Sequence, residues 1–257
     1  MLFSILRILL TSYVILSLIL FIFQRKLLYL AQEGTNNVDA EEIDFTNGDT
    51  ILRGWVVNKG KEKAIIYYGG NAEVIEENID YFREILPEFT LYLINYRGYG
   101  ESDGKPTEEN LYNDALFIYD QIILKHEKIS LIGRSLGTGI ATYVGAKRNP
   151  YKLVLISPFD SILNIAKQVY WMFPLSILLM DKFESIDNVK DIKAETLLII
   201  GENDRIIPYK LSENLFREFN KDKVKINVIK GAGHNDISFF KEFSDSLKSF
   251  MKDNQPQ

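Results

Sequence analysis

A serine with glycine two residues away on each side stands at Gly133-Arg134-Ser135-Leu136-Gly137, after the apolar run Ile129–Ile132 and before the helical pattern opened by Thr138-Gly139-Ile140-Ala141. Strand, sharp turn and helix are the setting in which a G-x-S-x-G segment presents a nucleophilic hydroxyl. The glycines are needed because bulky side chains beside so tight a turn would strike neighbouring backbone. The helix that follows aims its first amides at any negative charge developing nearby.

A serine hydroxyl is a weak nucleophile at neutral pH and needs a base, which in turn needs an orienting carboxylate. The chain of 257 residues has two histidines, so the base is His126 or His234. His126 lies among Lys125, Glu127 and Lys128 at a helix end, the setting of a solvated surface residue. His234 lies in Gly231-Ala232-Gly233-His234-Asn235-Asp236, directly after the run Lys225–Ile229. Asp204 is the preferred acid, on the loop Gly201 to Pro208 that follows Thr196–Ile200. Glu202 on the same loop and Asp160 after Leu153–Ser157 are its alternatives. A tetrahedral oxyanion also needs donors, commonly backbone amides. Leu136, next after the serine, supplies one; Asn71 or Ala72, in Gly69-Gly70-Asn71-Ala72-Glu73 after the run Ala64–Tyr68, supplies the other.

These loops all follow short apolar runs, and the runs alternate with helical spacing. Val74, Ile75, Ile79, Phe82, Ile85 and Leu86 recur at helical intervals, as do Leu111, Ala115, Ile118 and Ile122. Runs apolar on both faces suit buried parallel strands, and the alternation predicts a doubly wound, mostly parallel α/β sheet. Leu91–Tyr96 completes that set, while Glu42–Phe45 and Ile51–Val57 around Asn47-Gly48 predict an opening antiparallel hairpin. Functional loops in such sheets lie beyond the carboxyl ends of the strands, where the serine, acid and histidine fall.

Composition removes other chemistries. With no cysteine there is no thiol nucleophile, disulfide framework or iron–sulfur cluster. A net charge of -5 and a pI near 5.3 argue against a phosphate-backbone binder. The glycines of Gly98-Tyr99-Gly100-Glu101-Ser102-Asp103-Gly104 have the wrong spacing for a dinucleotide loop, and two acids there would repel pyrophosphate. Neither a cofactor nor a metal is expected.

Leu2 to Phe23 is almost wholly apolar, with Arg7 near one end and Arg25 and Lys26 just beyond the other. At about 1.5 Å per residue it reaches about 33 Å, enough to cross a hydrocarbon core. Residues 1–26 are therefore read as a single-pass N-terminal anchor rather than a cleaved signal, of undetermined orientation, with Leu27 to Asn37 as linker and 27–257 as one domain. An insertion at about 160–194 is read as a small cap. Within it, Val169 to Met180 is a run of apolar and aromatic residues interrupted by Pro174. Trp171 and Phe173 are candidate substrate contacts, in an acyl pocket or a lid dipping into the membrane.

The sequence resembles the α/β-hydrolase superfamily, and within it the Bem46-like branch with its membrane-associated α/β-hydrolase-domain types 13 and 17. The resemblance rests on Asn95 to Ser102, Gly133 to Gly139, Ser157-Pro158-Phe159, Gly201 to Pro208 and Gly231 to Asp236. It implies the α/β-hydrolase fold, with Ser135 as nucleophile, Asp204 as acid and His234 as base. One block departs from it: His-Gly-Asn-Ala-Gly is the usual form where this chain has Gly69-Gly70-Asn71-Ala72-Glu73. A glutamate aimed into an oxyanion hole would oppose the charge formed there, whereas one pointing outward would cap the next helix favourably; the sequence leaves the direction of Glu73 open.

The resulting expectation is a membrane-anchored serine hydrolase of the carboxylesterase, lysophospholipase or acyl-thioesterase type, acting on lipid-like or acylated substrates with the bilayer as its other partner. The alternatives are a serine peptidase of prolyl-oligopeptidase type and a catalytically silent membrane-bound interaction module.

Overall fold

The computed structural model describes residues 1–35 and 38–252; the end of the expected linker, at Asn36 and Asn37, lies outside them. A long helix, α1 (Leu2–Leu28), leads into a hairpin of β1 (Glu41–Asn47) and β2 (Thr50–Val57). The Asn47-Gly48 turn is possible because Gly48 takes a φ of 61°, which costs a glycine little.

From there strands and helices alternate: β3 (Lys63–Tyr68), α2 (Ile79–Ile85), β4 (Thr90–Ile94), α3 (Glu108–Ile122), β5 (Lys128–Arg134), α4 (Leu136–Arg148) and β6 (Lys152–Ile156). The insertion supplies α5 (Ile162–Val169), α6 (Leu175–Leu178) and α7 (Ser185–Asn188). The chain then returns through β7 (Glu195–Gly201), α8 (Tyr209–Glu218), β8 (Val224–Ile229) and α9 (Lys241–Met251). The strands form one sheet in the order β1-β2-β4-β3-β5-β6-β7-β8. β1 with β2 and β2 with β4 pair antiparallel, and every other pairing is parallel.

Both faces of the sheet are covered, which is why its strands read as continuous apolar runs. Along β3, Ala64, Ile66 and Tyr68 join the cluster that holds Leu111 and Ile118 of α3 and Ile140 and Val144 of α4. Ile65 and Tyr67 face the opposite way, toward Phe82 of α2 and Phe243 and Leu247 of α9. Local chemistry sets the helix starts: the Thr107 side chain accepts from the Asn110 N–H to open α3, and Ser161 does the same for Asn164 at α5.

Two boundaries differ from expectation. α1 continues to Leu28, so Leu27 and Leu28 are helix rather than linker, and Tyr29 is already buried. Phe183, Val189 and Ile192 are core residues, so the inserted cap is confined to the stretch carrying α5 and α6.

Candidate active site

Ser135 sits between the end of β5 and the start of α4 with φ 49° and ψ −117°. That is a conformation non-glycine residues rarely hold, at a cost of about 1–3 kcal/mol. Close packing on both sides imposes it. A Cβ on Gly137 would lie 2.0 Å from the Tyr68 carbonyl oxygen, and one on Gly133 would lie 2.5 Å from the Gly137 carbonyl oxygen. The glycines thus let α4 start directly against β3, and the serine is turned out beyond the sheet.

His234 and Asp204 reach it from the loops after β8 and β7. The Ser135 Oγ is 3.0 Å from His234 Nε2, and His234 Nδ1 is 2.7 Å from Asp204 Oδ2. The other carboxylate oxygen of Asp204 accepts from the Ile206 and Ile207 N–H groups at 2.9 and 2.8 Å. Burial works against the Asp204 charge, but His234 and these two amides outweigh it and hold the carboxyl below its ordinary pKa. An ionised Asp204 accepts from Nδ1–H, which leaves Nε2 of the neutral ring to accept the serine proton.

The other candidate acids and the second histidine are placed elsewhere. Asp160 is buried and accepts from the Asn214 side chain, and Glu202 accepts from the Gly231 N–H. His126 is not simply solvated as expected. Its Nδ1 is 2.9 Å from the Lys61 carbonyl oxygen and its Nε2 is 2.8 Å from the Tyr92 hydroxyl, so it joins the loop before β3 to β4.

Of the oxyanion candidates, Asn71 and Leu136 line a cavity of about 280 Å³ together with Ser135, and Ala72 is absent from its lining. The Leu136 N–H is at the first position of α4, beyond reach of any helix carbonyl. The Asn71 side chain has a job that its sequence position did not suggest: Nδ2 donates to the Leu28 carbonyl at 2.6 Å, and Oδ1 accepts from the Leu30 N–H at 2.9 Å. It fastens the loop after β3 to the end of α1.

Glu73 does not point outward. Its carboxylate is 7% exposed and lies 3.2 Å from the Arg134 guanidinium. It accepts from the Tyr67 hydroxyl at 2.5 Å, from the Asn78 side chain at 2.6 Å and from the Gly70 N–H. Burial opposes the Arg134 charge, yet Glu73 raises its pKa above the ordinary value. The awkward negative charge is therefore matched by a positive one beside the serine. Tyr96 adds a hydrogen bond to the Gly69 carbonyl at 2.7 Å, so this loop is set without the family's histidine.

Trp171 and Phe173 do not line the cavity. Trp171 is 74% exposed, and Phe173 stacks on Tyr13 of α1 with ring centroids 5.5 Å apart. The cavity walls are instead apolar side chains of α5 and α6, with Ile206 and Ile207, and one face of α1. That last wall was not anticipated, because a uniformly apolar helix has no pattern to mark a working face. Among the described residues no cluster of His, Asp and Glu is arranged to hold a metal.

Comparison with known proteins agrees with this architecture. Residues 63–174 match the sequence model of the α/β-hydrolase fold family. An uncharacterized protein of Mycobacterium tuberculosis is 33% identical over 168 residues, 63% of this chain and 59% of that one. Human α/β-hydrolase domain-containing protein 17B is 30% identical over 169 residues, 63% of this chain and 56% of the relative. The match thus spans little more than half the length of these relatives. Among solved structures, Est1E of Butyrivibrio proteoclasticus, with ferulic acid bound, superposes with a TM-score of 0.68 at 19% identity, covering 81% of this chain and 97% of its own. The Pyrococcus furiosus esterase Pf2001 gives 0.67 at 20%, covering 87% and 96%. Sheet order, the family-model match over residues 63–174 and the solved-structure neighbours agree on an α/β-hydrolase fold, and the chain is similar to curated relatives named α/β-hydrolase domain-containing protein 17B at about 30% identity.

Proposed function

We propose that this hydrolase-fold protein is a membrane-anchored serine hydrolase that cleaves carboxylic ester or thioester bonds of lipid-like substrates. The reading is carried by the hydrogen-bonded series Asp204, His234, Ser135, with distances of 2.7 and 3.0 Å. In the proposed reaction His234 Nε2 takes the Ser135 proton as Oγ attacks the carbonyl carbon, and the amides of Leu136 and Asn71 stabilise the oxyanion. The imidazolium, steadied by Asp204, gives its proton to the departing alkoxide or thiolate, leaving an acyl-serine. Water, deprotonated by His234, then releases the acid and restores the serine.

Anchoring is proposed from α1, which has a mean hydropathy of 2.5 over its most apolar stretch and is long enough to cross a membrane. Its apolar residues from Leu2 to Phe23 are largely exposed, as a lipid-facing surface requires. Labelling with a fluorophosphonate probe tests the catalytic claim. The expected result is an adduct on the wild type that disappears in Ser135→Ala and His234→Ala. An unlabelled wild type, or an adduct that survives Ser135→Ala, overturns it.

A further inference from the structure

Resting on that reading of Ser135, we propose that α1 is a wall of the substrate site as well as an anchor, and that the acyl chain of a lipid ester lies along it. Leu20, Phe21, Gln24, Leu27 and Leu28 all line the cavity that holds Ser135. Their spacing of i, i+1, i+4, i+7 and i+8 places them on one face of a helix. Facing them across the cavity are Ile165, Val169 and Leu178 of the cap.

The cavity has a direction. Its Leu28 end is fixed beside the serine, because Asn71 bonds to the Leu28 carbonyl and lines the cavity with Ser135. From Leu28 to Leu20 the helix rises about 12 Å. A carbonyl held at Ser135 therefore sends its chain up α1 toward the helix's N-terminal half, the part that the anchor reading puts in hydrocarbon. The mostly apolar lining favours methylene groups; apart from Ser135 and Asn71 at the serine end, its polar side chains are those of Tyr170 and Gln24. Both polar ends of the Gln24 side chain are already engaged, Nε2 with the Leu178 carbonyl and Oε1 with the Met180 N–H.

The helix is held in place for this role. Arg25 makes two bonds to the buried carboxylate of Asp181, at 2.9 and 3.2 Å, and the Tyr13 hydroxyl donates to the Met172 carbonyl at 2.9 Å. A tether that served only to localise the domain would need none of these contacts.

The test uses full-length protein in detergent micelles and kcat/KM for p-nitrophenyl acetate and p-nitrophenyl palmitate. Leu20→Trp fills the far end of the cavity. It is expected to lower the palmitate-to-acetate ratio at least about tenfold, as excluding two methylenes from an apolar pocket would. Ile22→Trp, on the exposed outer face at 67% accessibility, is the matched control and keeps the wild-type ratio. A ratio shifted no more by Leu20→Trp than by Ile22→Trp, with Ser135 still labelled by fluorophosphonate, overturns the proposal and leaves the hydrolase reading standing. Phe21→Ala reads the same wall by enlargement and moves the preferred acyl length upward; an unmoved preference also overturns it. An unlabelled wild type refutes the hydrolase reading instead.

Discussion

Arg134 and Glu73, 61 positions apart in the chain, meet as an ion pair at 3.2 Å directly beside the serine. Arg134 also donates to the His234 carbonyl at 3.4 Å, so one guanidinium joins the loop after β3 to the loop carrying the histidine. The pair explains how a carboxylate can occupy a position where the resembling proteins have glycine.

Glu73→Gly should consequently damage the protein although it restores the family's residue. It leaves the largely buried Arg134 without its partner, a change expected to cost about 3–5 kcal/mol. Chemical denaturation of the variant and the wild type measures it. Equal stability of the two would show that the pair contributes nothing.

Asp204→Asn should lower kcat/KM by about 10⁴, because an amide cannot hold the imidazole in the tautomer that accepts the serine proton. Ester hydrolysis by the purified variant gives the number. A loss smaller than tenfold would point to another orienting group.

The same carboxylate has a pH signature. Its folded pKa lies below the ordinary 3.8, so its contribution to stability is complete above that value and is lost as pH falls through the folded one. Melting temperatures of wild type and Asp204→Asn should therefore differ most near neutrality and converge in acid. A gap that stays constant down to pH 3 would contradict the assignment.

Gly137→Ala is expected to destabilise by at least about 2 kcal/mol, since its methyl would meet the Tyr68 carbonyl oxygen at 2.0 Å. The yield of folded protein and its denaturation midpoint report the effect. A neutral substitution would mean that α4 can move off β3.

The strands were legible because a sheet covered on both faces leaves uninterrupted apolar runs such as Ile129–Ile132. The meeting of Ser135, Asp204 and His234 was legible because each follows such a run in a loop of fitting residue types. What escaped was pairing across long separations. Nothing local to Glu73 announces Arg134, and neither of the two directions open to Glu73 in the sequence anticipated a buried ion pair. Trp171 and Phe173 escaped for another reason: apolar composition says that a segment avoids water but gives no direction, and these side chains face outward or against Tyr13. The working face of α1 was hidden in the same way, since Leu20 and Ile22 are alike in type and differ only in what the fold sets beside them.

With α1 as the proposed anchor and Ser135 as the proposed nucleophile, the grip of Asn71 on Leu28 and Leu30 couples where the protein is to whether it can act. A residue that lines the cavity beside Ser135 takes its bearings from the end of α1. A domain clipped free after Leu30 would lose both the far wall of its pocket and the tie that seats this loop. On the proposed reading, release from a membrane would silence hydrolysis rather than mobilise it, and activity would be confined to the surface where α1 is inserted.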